Sequence, residues 1–310
     1  MTESLPIISL KLQMENPSSF SSDLGSAFEE LGFCGISDHT IEADLINDVL
    51  MIFKSFFSLP KEKKMDYFQP NLGGARGYTP FKIETPKGGL EPDLKEFWQT
   101  GRSLDKGHKF SKWMPPNEWV EDIPLFEEKI KALYNQFDLL GISLLRSLAV
   151  YLDIEEDYFE HSALEGNSVM RSIHYPPVQS DEKGERSGAH EDINLITLLI
   201  GGHQPGLEIL TKKDEWLSID VDSSILICNI GDMLQRFTNH KLISTTHRVK
   251  AIAEQKNSSR FSIPFFVHPN PDWFIETLPS CISKQNPNKY TQGILAEDFL
   301  KQRLKEIKLL

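Results

Sequence analysis

The chain is poor in cysteine. Its three, Cys34, Cys228 and Cys281, are odd in number and widely spaced. They make neither a disulfide framework nor a CxxC metal clip, and they suit a reducing compartment better than secretion. Positive charge is also in deficit: 33 Lys and Arg face 45 Asp and Glu, for a net charge of -12. A surface that acidic repels phosphate backbones and anionic lipid, which argues against nucleic acid and membrane surfaces as partners. Long hydrophobic runs are missing as well. None approaches the ~20 residues that cross a bilayer. The opening MTESLPIISL has no basic segment before its short apolar stretch, so no signal peptide is expected. These absences together describe a cytoplasmic protein.

What is present is an ordinary globular composition, 39% hydrophobic and 25% charged, at a length that buries a real core. The 310 residues read as a single unit without a linker. Residues 1–165 are mainly helical, with short strands at PIISL and GFCGISD and a helix from Ala43 to Phe57 that ends before Pro60. A long helix is expected from Pro124 to Leu152. There Phe126, Ile130, Leu133, Phe137, Leu140, Leu144, Leu148 and Tyr151 form one apolar stripe. From about Ser168 the texture changes to seven short β-type runs: SVMRSIHY, NLITLLI, GLEILT, EWLSIDV, SILICNI, STTHRVKAI and RFSIPFFV. Strands of that length, separated by turn formers, suggest an antiparallel sandwich or barrel. A closing helix is expected from Leu295 to Lys308.

Chemistry concentrates in SGAHEDINLITLLIGG, residues 187–202. His-Glu begins the zinc-protease motif H-E-x-x-H, but Asn194 stands where its second histidine belongs, so that motif fails. The residues that follow favour a strand, on which i and i+2 share a face. His190 and Asp192 would then project together, with Glu191 pointing away. An isolated H-x-D is weak on its own and gains weight from a third ligand, for which His247 in STTHRV is the candidate. Two histidines and one carboxylate form the facial triad of non-haem Fe(II) oxygenases, which leaves the opposite positions of the metal open. Structural zinc would call for four ligands, often sulfur. By the same two-residue step, Arg260 and Ser262 in RFSIPFFV share a face. An arginine fork with a serine hydroxyl holds a carboxylate, so a dicarboxylate bridging metal and arginine is suggested.

These motifs resemble the iron(II)- and 2-oxoglutarate-dependent dioxygenases, in the isopenicillin N synthase-like branch, nearly end to end. LGFCGISDHTI, FFSLPKEKKMDY, RGYTPFKIE and DLKEFWQTG are followed by MRSIHYPP, GAHEDINLITLL, PGLEIL, NIGDMLQRFTN, STTHRV and RFSIPFF in the family's order. The resemblance implies an α+β chain with a mainly β core. That core would be a double-stranded β-helix, or jelly roll, over 166–270, flanked by helices that include the long one before it, and 271–310 would form a C-terminal segment. It implies Fe(II) on His190, Asp192 and His247, and 2-oxoglutarate on Arg260, Ser262 and Tyr175. Dioxygen is then consumed as a small organic substrate is hydroxylated, desaturated or cyclised, with release of succinate and CO2. Plant members carry asparagine where this chain has Ile173. Two rivals remain at this level. One is an Fe(II) oxidase of the same fold that uses no 2-oxoglutarate, as in isopenicillin N synthase and aminocyclopropane carboxylate oxidase. The other is a metal-binding jelly roll without redox activity.

Substrate contacts are expected from Arg76 and Tyr78, and apolar wall from Phe97, Leu195, Phe237 and Phe266. Of the other histidines, His108, His161 and His268 are read as solvated, and Asp232 as a turn former.

Overall fold

The computed structural model describes residues 4–86, 91–178, 184–201, 203–252 and 257–306. Strands come first in importance because they carry the site. Eight form a large sheet: β1 (Ile7–Ser9), β2 (Phe33–Ser37), β3 (Gly77–Thr79), β4 (Glu96–Gly101), β5 (Val169–Tyr175), β7 (Ile196–Ile200), β10 (Leu226–Ile230) and β12 (Arg260–Val267). Their order across the sheet is β1-β2-β10-β7-β12-β5-β4-β3. Four make a smaller sheet in the order β6-β11-β8-β9, from β6 (Ser187–His190), β8 (Leu207–Leu210), β9 (Trp216–Ser218) and β11 (His247–Val249).

Residue alternation divides the large sheet into two faces. On the inner face Phe33, Phe97, Ile173, Tyr175 and Ile227 meet Leu207, Ile209 and Val249 of the small sheet in one apolar cluster. That cluster closes the two sheets into a jelly roll. On the outer face Trp98, Met170, Leu198, Cys228, Phe265 and Val267 join the helices in a second, larger core.

The helices are α1 (Lys11–Glu15), α2 (Pro17–Glu30), α3 (Ala43–Phe57), α4 (Lys61–Met65), α5 (Phe126–Tyr151), α6 (Tyr158–Ala163), α7 (Asp232–Phe237) and α8 (Ala296–Glu306). Asn16 caps α2 by accepting from the Ser19 N–H at 3.2 Å, with Pro17 pre-set for the first turn. α5 is the expected long helix, and its apolar stripe is buried apart from half-buried Tyr151. Phe137 stacks on Phe265 of β12 with ring centres 5.2 Å apart, and Tyr134 meets the same ring edge-on at 4.9 Å. Gly141 permits the approach: a β-carbon there would lie 2.7 Å from Val267.

Each of the seven β-type runs contains a strand, although only His247–Val249 of STTHRVKAI pairs. β3 and β4 were not expected. EFWQTG is buried along its whole length, so it lacks the apolar-polar alternation by which a half-buried strand announces itself. The closing helix spans Ala296–Glu306, and the last two residues of the expectation lie outside the described residues. Among the described residues no helix is long and apolar enough to cross a membrane.

Phe265→Ala should remove the contact that seats α5 on the sheet. We expect a loss of ~3–5 kcal/mol in urea unfolding; a loss below ~1 kcal/mol would show that the α5 interface does not depend on this ring.

Candidate metal centre and active-site cavity

His190 ends β6 and His247 begins β11, and the two are cross-strand partners with ring centres 4.4 Å apart. Asp192 is not on the strand. It lies two residues past its end, so the expected strand step does not place it beside His190. The two strands beyond it do. Thr197 on the inner face of β7 donates to Asp192 Oδ2 at 2.6 Å, and Asn229 on the inner face of β10 donates to the same oxygen at 2.8 Å. Oδ1 is left facing the histidines, 3.8 Å from His190 Nε2 and 3.8 Å from His247 Nε2. Each imidazole is fixed in the same manner. His190 Nδ1 lies 2.8 Å from the Gly188 carbonyl and His247 Nδ1 lies 3.1 Å from that of Thr245. A carbonyl only accepts, so Nδ1 carries the proton and Nε2 presents its lone pair.

The three ligand atoms lie within 4.8 Å of one another and could hold a metal ion. No other histidine, cysteine or acid joins this group among the described residues. Electrostatics favour the ligand protonation states. Burial, then the neighbouring His247, pushes the His190 pKa down to about 4. Burial alone would raise that of Asp192, but His247 and His190, with the bonds from Asn229 and Thr197, outweigh it and hold the carboxyl below its usual range. Near neutral pH the centre therefore offers a neutral His190 and a carboxylate without a proton to displace. The N, N, O donor set leaves one side open and suits a borderline divalent metal such as Fe(II).

Arg260 opens β12 opposite Tyr175, with its guanidinium 5.1 Å over the tyrosine ring. It is 2% exposed. Among the described residues its guanidinium is weakly engaged: Nη2 reaches the Gly201 carbonyl at 3.4 Å and the group lies beside Tyr175, while Nε and Nη1 are buried without a partner. A buried cation with unmet donors is costly unless an anion joins it, and the site thus fits one end of a dicarboxylate. Ser262 lies two residues on, buried on the same face. Ile173, its partner in register, belongs to the apolar cluster between the sheets.

Beside His190 and Asp192 opens a cavity of about 550 Å³. Of the expected substrate contacts, Arg76 and Phe266 line it, although Arg76 is 1% exposed and its Nε and Nη1 donate to the carbonyls of Pro115 and Ala75. The others lie elsewhere. Tyr78 donates to Glu96 at 2.5 Å within an aromatic core formed with Phe56 and Trp98. Phe97 packs between the sheets under the Arg171 guanidinium. Leu195 and Phe237 are fully buried in the helix-side core. Tyr78 and Phe237 lie on faces turned to the helix-side core, Leu195 packs there just before β7, and Phe97, although on the same face as the cavity-lining Gln99, is covered by Arg171.

Several wall residues were not expected. Arg171 donates twice to Glu84 at 3.1 Å, and Lys95 pairs with Glu84 at 3.0 Å and Asp93 at 2.8 Å. Arg171 shares a face with Ile173 and Tyr175 by the two-residue step and was legible; Glu84 and Asp93 come from loops and were not. His268 also lines the cavity, contrary to the solvated role expected of it, and burial pushes its pKa down to about 4. From the far end of the chain, Leu300, Arg303 and Leu304 of α8 complete the wall. Arg303 pairs with Asp232 at 2.7 Å and reaches Glu191 at 3.7 Å. Asp232 is thus an anchor for α8 as well as the first residue of α7, and its N–H donates to the Asp192 carbonyl at 2.7 Å.

Comparison with known proteins agrees with this geometry. Residues 5–122 match the N-terminal model described as non-haem dioxygenase in morphine synthesis, and residues 166–269 match the 2OG-Fe(II) oxygenase superfamily. A 2-oxoglutarate-Fe(II) type oxidoreductase, hxnY, of Emericella nidulans is 32% identical over 89% of this chain and 81% of its own length. A Caulobacter crescentus structure described as of the 2OG-Fe(II) oxygenase family superposes with TM-score 0.92 at 43% identity, over 99% of this chain and all of that one. A Neurospora crassa protein solved with alpha-KG and thymine gives TM-score 0.85 at 28% identity, over 97% of this chain and 96% of that one. The chain belongs to the 2-oxoglutarate- and Fe(II)-dependent oxygenase superfamily. More particularly, it is a 2-oxoglutarate-dependent dioxygenase that uses Fe(II) and dioxygen to oxidise a small organic substrate.

Arg303→Gln removes the charge that pins α8. Amide exchange across α8, followed by mass spectrometry, should quicken by at least about tenfold; an unchanged rate would mean that packing alone holds the helix.

Proposed function

We propose that His190, Asp192 and His247 hold the iron, and that Arg260, Ser262 and Tyr175 hold the far carboxylate of 2-oxoglutarate. The substrate then occupies the cavity against Phe266, with Arg76 at its border. The chain works as one oxygenase unit, 166–270 carrying the centre and 1–165 and 271–310 enclosing it. One observation carries the reading: Asp192 Oδ1 stands 3.8 Å from both imidazole Nε2 atoms, while its other oxygen is tied to Thr197 and Asn229. Bound iron would let dioxygen act as the oxidant, taking two electrons from 2-oxoglutarate, which leaves as succinate and CO2, and two from the substrate as an unactivated C–H bond is broken.

The chain's own work is orientation. Gly188 and Thr245 fix the two imidazoles through Nδ1, and Thr197 and Asn229 fix the acid. Outer partners of this type set ligand direction and basicity. Arg260 offers a buried guanidinium with unengaged donors to a carboxylate. The cavity wall and α8 exclude solvent from the substrate and hold it beside the open side of the centre. The relative solved with alpha-KG and thymine supports a small organic molecule as the occupant. Three free, buried cysteines fit a reducing cytoplasm.

Substitution of His190, Asp192 or His247 by Ala should abolish iron binding and succinate formation together; iron-dependent turnover surviving all three changes would refute the assignment. Arg260→Lys should raise the KM for 2-oxoglutarate at least about tenfold and leave iron affinity within about twofold. An unchanged KM would remove Arg260 from the cosubstrate site. Thr197→Val should weaken Fe(II) binding by about 10- to 100-fold in an anaerobic titration, and wild-type affinity in that variant would show that the carboxylate needs no such support.

A further inference from the structure

Most charged groups on the cavity wall already satisfy one another. Arg76 has no acid partner among the described residues, but it is 1% exposed and its one unpaired donor, Nη2, is buried out of reach of the cavity. Glu84 is shared by Arg171 and Lys95, Asp93 is paired with Lys95, and Arg303 is paired with Asp232. Burial would raise the Glu84 pKa, yet Arg171 and Lys95 hold it at about 2. A charged ligand that engaged Glu84, Asp93, Arg171, Lys95 or Arg303 would have to break one of these buried pairs. Two neutral side chains on the same wall are in the opposite condition. His268 makes no ring hydrogen bond among the described residues, its bond running from the backbone N–H to Ser168 Oγ at 3.2 Å. Asn167 has its Oδ1 buried without a partner among the described residues.

The fold holds these two side by side. The Asn167 N–H donates to the Pro269 carbonyl at 3.3 Å. Gly166 lets the segments close up, since a β-carbon there would sit 1.9 Å from the His268 carbonyl oxygen. His268 continues the inner face of β12 two residues beyond Phe266, so a ring and an imidazole adjoin along one strand face. A neutral imidazole has one donor and one acceptor, and a side-chain amide that no bond among the described residues locks in either orientation offers both as well.

We propose that His268 and Asn167 are the specificity-determining pair of this dioxygenase, and that its substrate is uncharged and carries an adjacent hydrogen-bond donor and acceptor, as in a lactam, imide or carboxamide. Phe266 packs against the apolar part of that molecule. The proposal rests on the reading of the cavity as the substrate site. Its logic is that a site with unmet polar groups rejects an analogue that leaves them unmet.

The test uses three fragments of similar size: 2-pyrrolidinone, N-methyl-2-pyrrolidinone and cyclopentanecarboxylate. Each is titrated anaerobically into the protein loaded with Fe(II) and 2-oxoglutarate, and binding is read from the shift of the visible charge-transfer band. The lactam should bind at least about tenfold more tightly than its N-methyl analogue or the carboxylate. In His268→Leu and in Asn167→Leu that preference should fall to within about twofold, with the starting band intact as evidence of a folded, loaded site. His268→Gln, which keeps a donor and an acceptor, should restore most of it. A lactam that binds no better than its N-methyl analogue, or a preference that survives both leucine variants, overturns the proposal. Failure of the wild-type protein to form the band overturns the parent reading instead, and this inference with it.

Discussion

The Asp192 carboxylate faces two ways, and the architecture around it serves that division. One oxygen accepts hydrogen bonds from Thr197 and Asn229, which stand on the inner faces of neighbouring strands of the large sheet. The other oxygen is held toward two imidazoles of the small sheet. The centre is therefore a bridge between the sheets of the jelly roll. Its dimensions are set by sheet packing rather than by a loop, which is how a site attains the rigidity that metal ligation needs. Asp192 itself sits in a connection, and the Asp232 N–H bonded to its carbonyl ties that connection to α7.

Strand period separates packing from chemistry along β12. Phe261, Ile263, Phe265 and Val267 turn to the helices, so α5 is seated by one set of side chains. Arg260 and Ser262 occupy the other face, and Phe266 follows on it at the cavity. One strand thus spans the proposed cosubstrate end and the proposed substrate end of the site, and the relative positions of the two are fixed by backbone geometry. The same logic runs along β5, where Arg171 reaches the cavity and Tyr175 reaches Arg260.

Much of this was legible before any coordinates. The long-helix stripe and the seven β-type runs follow from residue periodicity, and His190, Asp192, His247, Arg260 and Ser262 from donor chemistry; the two-residue strand step holds for Arg260 and Ser262 but not for Asp192, which lies past the end of β6. The ordered motifs of the superfamily agree with them. Other features were hidden for physical reasons. β4 is buried on both faces and so shows no alternation. Tyr78, Phe97, Leu195 and Phe237 have the composition of cavity wall and core alike, and their placement depends on which face a partner element covers. His268 looked like a loop histidine because it follows the last paired residue of β12. Arg303 and Asp232, more than sixty positions apart, meet only through the tertiary fold, and no local pattern could announce that pairing.

The most direct measurement is a crystal structure of the protein grown anaerobically with Fe(II) and 2-oxoglutarate. The account requires metal density bonded to His190 Nε2, His247 Nε2 and Asp192 Oδ1, with the far carboxylate of 2-oxoglutarate hydrogen-bonded to the Arg260 guanidinium. Metal bound at another set of side chains, or 2-oxoglutarate lying away from Arg260, would contradict it.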